Sequence, residues 1–200
     1  MPALIKQQRS QLRQSLRAAR RELSASDQCR SAQAVLRRIR NSTWLRRAHR
    51  VGLYMANDGE LDAGALLTHM HRLGKQCFLP VLPGYPARLR FARYAPFRNG
   101  RALAPGRFGI AVPRGTAVPA ARLDVVFVPL VAFARNGARL GRGGGFYDRA
   151  LAARAGRPEP LRVGLAHALQ EVAIEHLPSE VWDVQLHVIV TPDEVIHIRK

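Results

Sequence analysis

The chain has little lysine, little acid and almost no cysteine. Of its 32 basic residues only Lys6, Lys75 and Lys200 are lysine, and they face 14 acidic residues. Its two cysteines, Cys29 and Cys77, have neither the spacing of a metal or redox site nor the density of a disulfide scaffold. They read as reduced thiols of a cytoplasmic protein. No apolar run approaches the ~20 residues of a membrane-spanning helix, and the longest, 125–134, is about half that length. The seven histidines show no metal-ligand spacing. Internal repeats are absent, as are low-complexity tracts other than arginine. Metal-clipped, disulfide-stapled and membrane-spanning folds are thereby excluded, and a chain of 200 residues needs none of them. At this length roughly 70% of the unfolded surface can be buried, within one domain.

What is in excess is arginine, which gives a formal charge of +18. Such a charge suits a nucleic-acid surface. However, the arginines are spread along the whole chain rather than gathered in one tract, which favours a compositional habit and argues against a nucleic-acid partner.

Along the chain, Ile5, Leu12, Leu16 and Leu23 recur at helical spacing and predict a helix over residues 4–23. Arg9, Arg13 and Arg20 run along its edge. Arg9 and Arg13 are four apart, so like charges meet and an anion between them would relieve the repulsion. Ser24 or Ser26 caps a second helix that runs to about Asn41, with Cys29, Ala32, Val35, Leu36 and Ile39 as its apolar face. Residues 50–56 predict a buried strand, 57–60 a loop, 62–73 a helix closed by Gly74, and 76–82 a second strand, together one βαβ unit. Residues 89–94 predict another strand inside a long segment rich in Pro, Gly and Arg. A long apolar strand follows from Val125, then strands over 161–167 and 187–191. Alternating strands and helices predict an α/β fold: a mainly parallel, Rossmann-like sheet covered on both faces, residues 50–200, preceded by a helical pair within 1–41.

The most informative stretch is Arg139-Leu140-Gly141-Arg142-Gly143-Gly144-Gly145-Phe146-Tyr147-Asp148, a glycine-rich turn read between a strand and a helix. Such a turn brings backbone N–H groups close to an anion. It is not a Walker loop, which needs Gly-Lys-Ser/Thr where this chain has Gly145-Phe146-Tyr147. It is not a dinucleotide fingerprint either, because the sixth position from Gly141 is Phe146. On the glycines alone, a phosphate site and a structural turn both remain open.

The full string, with its flanks, resembles the 5-formyltetrahydrofolate cyclo-ligase family. The likeness extends to the basic N-terminal helix from Lys6 to Leu23, Tyr54 to Glu60, Leu79-Pro80, Gly109 to Pro113, Asp124 to Pro129, Gln170 and Asp183. Because the N-terminal helix is included, residues 4–23 are expected to belong to the fold rather than to a cleaved leader.

The resemblance implies an ATP- and Mg²⁺-dependent ligase. It would convert 5-formyltetrahydrofolate, free or polyglutamylated, to 5,10-methenyltetrahydrofolate through a phosphorylated formyl group, as a monomer. It implies ATP contacts at Arg9, Arg13, Arg139, Gly141, Arg142, Gly143, Gly144, Gly145, Phe146 and Tyr147. Tyr147 would lie beside the reacting centre. Met55, Glu60 and Phe108 would bind folate, and Asp148 and Asp183 would hold Mg²⁺. Some relatives carry lysine where this chain has Gly144, so Arg142, also a candidate catalytic group, or an N-terminal arginine is expected to supply that charge. Trp182 is read either as packing under the site or as simply burying apolar area. Another phosphoryl-transfer enzyme on the same scaffold is the competing assignment.

Overall fold

The computed structural model describes residues 2–82, 88–95, 103–106, 111–152 and 159–198. Phe108 lies outside them. The order of elements is α1 (Pro2–Arg21), α2 (Ala25–Ile39), α3 (Thr43–Arg47), β1 (Arg50–Gly52), α4 (Gly64–Arg72), β2 (Gln76–Val81), β3 (Arg90–Arg93), β4 (Leu103–Ala104), β5 (Val112–Pro113), β6 (Ala117–Val118), β7 (Val125–Pro129), β8 (Ala132–Phe133), β9 (Arg139–Leu140), α5 (Phe146–Leu151), β10 (Leu161–Leu165), β11 (Val188–Val190) and β12 (Val195–His197). An eight-stranded sheet runs β12-β11-β10-β7-β1-β2-β3-β6. Its five central strands are parallel. Its edges are finished by antiparallel pairing: β12 against β11 on one side, β3 against β2 and β6 against β3 on the other. The expected α/β class holds.

β7 shows why the sheet is buried on both sides. Its Val125 and Phe127 pack with Val35, Ile39, Leu45, Leu66 and Met70 of α2, α3 and α4. Its Val126 and Val128 pack on the other face, with Leu151 of α5 and with Leu123 and Leu186. The two-residue strand period therefore sends consecutive apolar side chains into opposite layers.

Chain order reverses between β1 and β7: from β1 the chain moves one way to β2, whereas β7, β10 and β11 lie on the other side. In open α/β sheets ligands bind outside the carboxyl ends of the strands at such a point. The loop 53–60 leaves β1 there, and the β8–β9 hairpin with the glycine loop leaves β7.

Several boundaries differ from expectation. Ser24 does cap α2, accepting from Asp27 N at 3.1 Å, but Cys29 is exposed and not part of its apolar face. The expected N-terminal helical pair is present, and its two helices serve different places. α2 packs with α4 on the sheet, whereas Leu12 and Leu16 of α1 pack on Ala132, Leu140 and Leu177, so α1 crosses the carboxyl end. The long apolar run from Val125 is two strands rather than one, because the chain turns after Pro129. Arg139 and Leu140 form the return strand of a hairpin that periodicity had not shown. β12, also unexpected, closes the edge against β11.

α1 is fixed by an arginine clamp. Arg20 is fully buried. It donates to Asp58 O at 2.6 Å, to Asp58 Oδ2 at 2.8 Å and to Leu130 O at 3.2 Å. Arg17 donates to Asp58 Oδ2 at 2.6 Å, and Arg21 to Asp58 Oδ1. Asp58 takes a left-handed backbone, φ 60°, which aspartate tolerates better than most residues. Burial alone pushes its carboxyl up, but the three guanidiniums outweigh this and hold it well below the usual carboxylate range.

Asp58→Asn removes the carboxylate that accepts from the buried Arg20 guanidinium and leaves only Glu60, 3.9 Å away, as its counter-ion. Unfolding in urea is expected to show a loss of about 3–5 kcal/mol at neutral pH. Because the folded carboxyl titrates lower than the unfolded one, near ~3.9, its contribution is complete above that value and fades below it. The gap between parent and variant is therefore expected to narrow as pH falls below about 4. A gap that stays constant into acid would overturn the clamp.

Candidate active site

Two cavities meet at the glycine loop. The first, about 380 Å³, is polar and is lined by Arg9, Arg13, Arg149, Asp148, Asp183 and the loop glycines 141 and 143–145. The second, about 430 Å³, is mainly apolar; Met55, Leu82, Leu89, Val112, Phe146 and Tyr147 are among its walls, with Glu60, Arg139 and Arg142 as its charged groups. Gly141, Gly144, Gly145 and Asp148 line both. The loop is thus a thin partition. Gly143 at φ 104° and Gly145 at φ 60° adopt backbone conformations that a side chain would strain.

In the polar cavity each carboxylate already has a guanidinium. Arg9 grips Asp183 through Nη1–Oδ2 at 2.6 Å and Nη2–Oδ1 at 3.2 Å, and it also donates to Pro178 O. Asp183 additionally accepts from Glu180 N at 2.9 Å. Burial raises its carboxyl, yet Arg9 and the Glu180 amide win and the net shift is downward. Arg139 donates to Asp148 Oδ1 at 2.6 Å, an oxygen that also accepts from Val184 N. Arg13 donates through Nε to Gly141 O at 2.8 Å, which docks α1 on the loop. Burial and the nearby Arg9 charge both lower the Arg13 guanidinium pKa. An anion entering here would offset both effects.

In the apolar cavity Glu60 is buried and accepts from Asn57 N at 3.2 Å. Its nearest cations stand back, with Arg20 at 3.9 Å and Arg142 at 4.0 Å. Burial therefore dominates and raises its pKa. The Tyr147 hydroxyl is buried with no hydrogen-bond partner among the described residues, and so is Nε of Arg139. Burial also pushes the phenol pKa up, so the hydroxyl stays protonated as a donor. A buried unpaired donor at a cavity wall suits an oxygen-bearing ligand.

The structure brings Arg9, Arg13, Asp148 and Asp183 to one cavity, and Met55, Glu60, Phe146 and Tyr147 to the other. Arg139 and Arg142 line the apolar side; Arg142 is not among the residues around the polar cavity. Trp182 is 66% exposed at the rim of the polar cavity, so it neither packs under the site nor buries apolar area. Two residues of the wider likeness, outside the glycine string, are structural. Asp124 accepts from His49 N and Arg50 N at the amino end of the sheet. Gln170 donates to Leu130 O and Val131 O behind the hairpin. Sequence reasoning missed Asp58, Arg17 and Arg149. The only trace of the first two was the cluster of arginines at the end of α1.

A switch-point α/β sheet with a cation-rich cavity and an apolar cavity divided by a glycine loop defines an α/β ligand-binding scaffold with two adjoining candidate sites. Comparison with known proteins narrows this. The model of the 5-formyltetrahydrofolate cyclo-ligase family matches residues 5–192. The 5-formyltetrahydrofolate cyclo-ligases of Haemophilus influenzae and Escherichia coli are each 38% identical, over 90% of this chain and 95% and 98% of theirs. The solution structure of the Aquifex aeolicus 5,10-methenyltetrahydrofolate synthetase superposes with a TM-score of 0.82 at 31% identity, covering 96% of this chain and 93% of that one. The chain belongs to the 5-formyltetrahydrofolate cyclo-ligase family, and it is an enzyme of the ligase class. Among the described residues, no helix is long and apolar enough to cross a membrane.

Glu60 yields a stability prediction. Its folded pKa lies above the unfolded value, so native stability is lost as pH rises from about 4.3 through the folded pKa. Glu60→Gln removes that loss. Its melting temperature at pH 8 is expected to match or exceed the parent's. A marked fall at pH 8 would show that Glu60 is instead a stabilising partner of Arg20.

Proposed function

We propose that this chain uses ATP to convert 5-formyltetrahydrofolate to 5,10-methenyltetrahydrofolate, releasing ADP and phosphate. The observation that carries this reading is the shared wall: one glycine loop separates a cavity fit for a triphosphate from one fit for a flat heterocycle. A phosphoryl group transferred between the two ligands has only that partition to pass.

The chemistry needs such a partition. A formamide oxygen is a poor leaving group. ATP's terminal phosphoryl group moves to that oxygen and leaves an iminium phosphate at N-5. N-10 then attacks the formyl carbon, the carbon–oxygen bond breaks, phosphate departs and N-10 gives up its proton. Catalysis of this kind is mostly alignment and charge neutralisation.

Arg9 and Arg13 take phosphate oxygens together with the Gly141–Gly145 backbone. Glu60 accepts from the amino-pyrimidine edge of the pterin, which compensates a carboxylate that the protein alone leaves under-neutralised. Met55 packs beside the ring. Tyr147 donates from the partition to the reacting oxygens, where Arg139 and Arg142 add positive charge. Phe108 belongs to the same folate assignment.

Among the described residues no three His, Cys, Asp or Glu side chains cluster as a ready-made metal cage. Asp148 and Asp183 nonetheless line the phosphate cavity together, and Mg²⁺ commonly takes one or two carboxylates plus phosphate oxygens and water. These two residues would hold it, and it would supply charge neutralisation on the triphosphate.

The test is direct. Protein, 5-formyltetrahydrofolate, Mg²⁺ and ATP are expected to generate the near-ultraviolet absorbance of the methenyl product, and its absence with every nucleotide would refute the proposal. Asp148→Asn is expected to lower turnover by at least about 100-fold with the fold intact by circular dichroism, a scale set by losing one transition-state charge contact. Unchanged turnover and Mg²⁺ dependence would remove the metal role. Glu60→Gln is expected to raise the KM for folate by about 10-fold or more and leave that for ATP within twofold. Arg13→Ala is expected to do the reverse.

A further inference from the structure

The glycine loop is folded over its own helix. Gly144 is not in the left-handed region, so its backbone suits any residue. The obstacle to a side chain there is Phe146: a Cβ at position 144 would lie 2.7 and 2.8 Å from its ring carbons Cε2 and Cδ2. A Cβ at Gly145 would lie 2.7 Å from Nη1 of Arg149. The Arg149 guanidinium fills that vacated space. Its Cζ stands 5.2 Å from the Phe146 ring centroid, within cation–π range, and its Nη2 donates to Gly144 O at 2.9 Å. Adjacent glycines, ring and guanidinium therefore form one stack.

The two sides of that stack face different cavities. Phe146 lines the apolar one, whereas Arg149 lines the polar one with Arg9 and Arg13. Of the residues expected to supply the loop's cation, the N-terminal Arg9 and Arg13 line the polar cavity, whereas Arg142 stands 4.0 Å from Glu60 on the apolar side. Arg149 is thus a cation of the polar cavity supplied by the helix that follows the glycine loop, beside the two arginines of α1 in its lining. It is oriented by contacts made to one nitrogen and to its flat face, and its remaining N–H donors have no protein partner among the described residues.

We infer that Arg149 is a phosphate-binding residue for the nucleotide, in a place that exists because positions 144 and 145 lack side chains. This rests on the reading of the polar cavity as the ATP site. The guanidinium joins Arg9 and Arg13 on the triphosphate from the loop's own helix, and its contact with Phe146 lets occupancy of one cavity be felt by a side chain of the other.

Arg149→Ala, Arg149→Lys and Gly144→Lys in the Arg149→Ala background test this, by steady-state assay and by direct titration of ATP followed calorimetrically. Arg149→Ala is expected to weaken ATP binding and raise its KM about 10-fold or more, with the KM for folate within twofold and the melting temperature unchanged. Arg149→Lys keeps the charge but not the flat face, so it is expected to recover part of the loss. Gly144→Lys returns a cation from the other end of the stack and is expected to restore ATP affinity, while its Cβ displaces Phe146 and raises the KM for folate. Unchanged ATP affinity in Arg149→Ala, or equal losses for ATP and folate, would overturn the inference. If the parent forms no methenyl product yet binds ATP, the cyclo-ligase reading fails and the titration still decides on Arg149. If the parent does not bind ATP at all, both fall.

Discussion

Arg20 is the residue on which the site's architecture depends. A guanidinium with no solvent exposure is costly to bury, and this one is tolerated because Asp58 and the carbonyl of Leu130 receive its donors. Those acceptors belong to the loop after β1 and to the turn after β7, the two connections that flank the switch point. A single side chain of α1 therefore ties together the helix carrying Arg9 and Arg13, the loop presenting Glu60, and the base of the hairpin leading to the glycine loop. None of these groups is held in place by the sheet alone. The sheet sets where a ligand can sit, and the clamp sets which charges meet it.

The arginine excess looks different once the contacts are known. Arg20 and Arg162 are buried, Arg90 and Arg38 clamp the carbonyls of Ala117 and Pro192, and Arg50 lies over the Phe78 ring. Lysine could not make the forked contacts of Arg9 or Arg20. Part of the positive charge thus serves as internal bracing and part lines one cavity, while Arg37, Arg46, Arg47, Arg72 and Arg114 among others are exposed elsewhere.

The sheet was legible because burial on both faces leaves a plain mark: Val125 to Val128 can be little else in a chain with helical patterns on either side. The site was legible in parts. The string from Arg139 to Asp148 stood out because glycines in that number have no role inside a strand or helix. The partner of each charged residue was not legible. Nothing local to Asp58 tells that three arginines from residues 17–21 converge on it, since that pairing spans about forty positions and depends on where α1 crosses the sheet. The division of the loop's arginines was hidden for a similar reason. Whether Arg142 or Arg149 faces the phosphates depends on the side of the partition to which each turns, and Phe146 packed on Gly144 decides that. The hairpin of β8 and β9 was hidden because β8 merges with the apolar run of β7, while β9 is only the two residues that open the glycine-rich string.

The ion pairs within the polar cavity have a consequence for what can enter it. Arg9 holds Asp183 and Arg139 holds Asp148, so both carboxylates of the cavity are already paired, while Arg13 and Arg149 have no carboxylate partner among the described residues. A polyphosphate can draw on those two at once, but it can claim Arg9 or Arg139 only by stranding a carboxylate. A bare divalent cation can claim the carboxylates only by stranding two arginines. A cation and a polyphosphate arriving together let every charge change partner at once. In the proposed reaction, this exchange makes metal and nucleotide favour each other's entry.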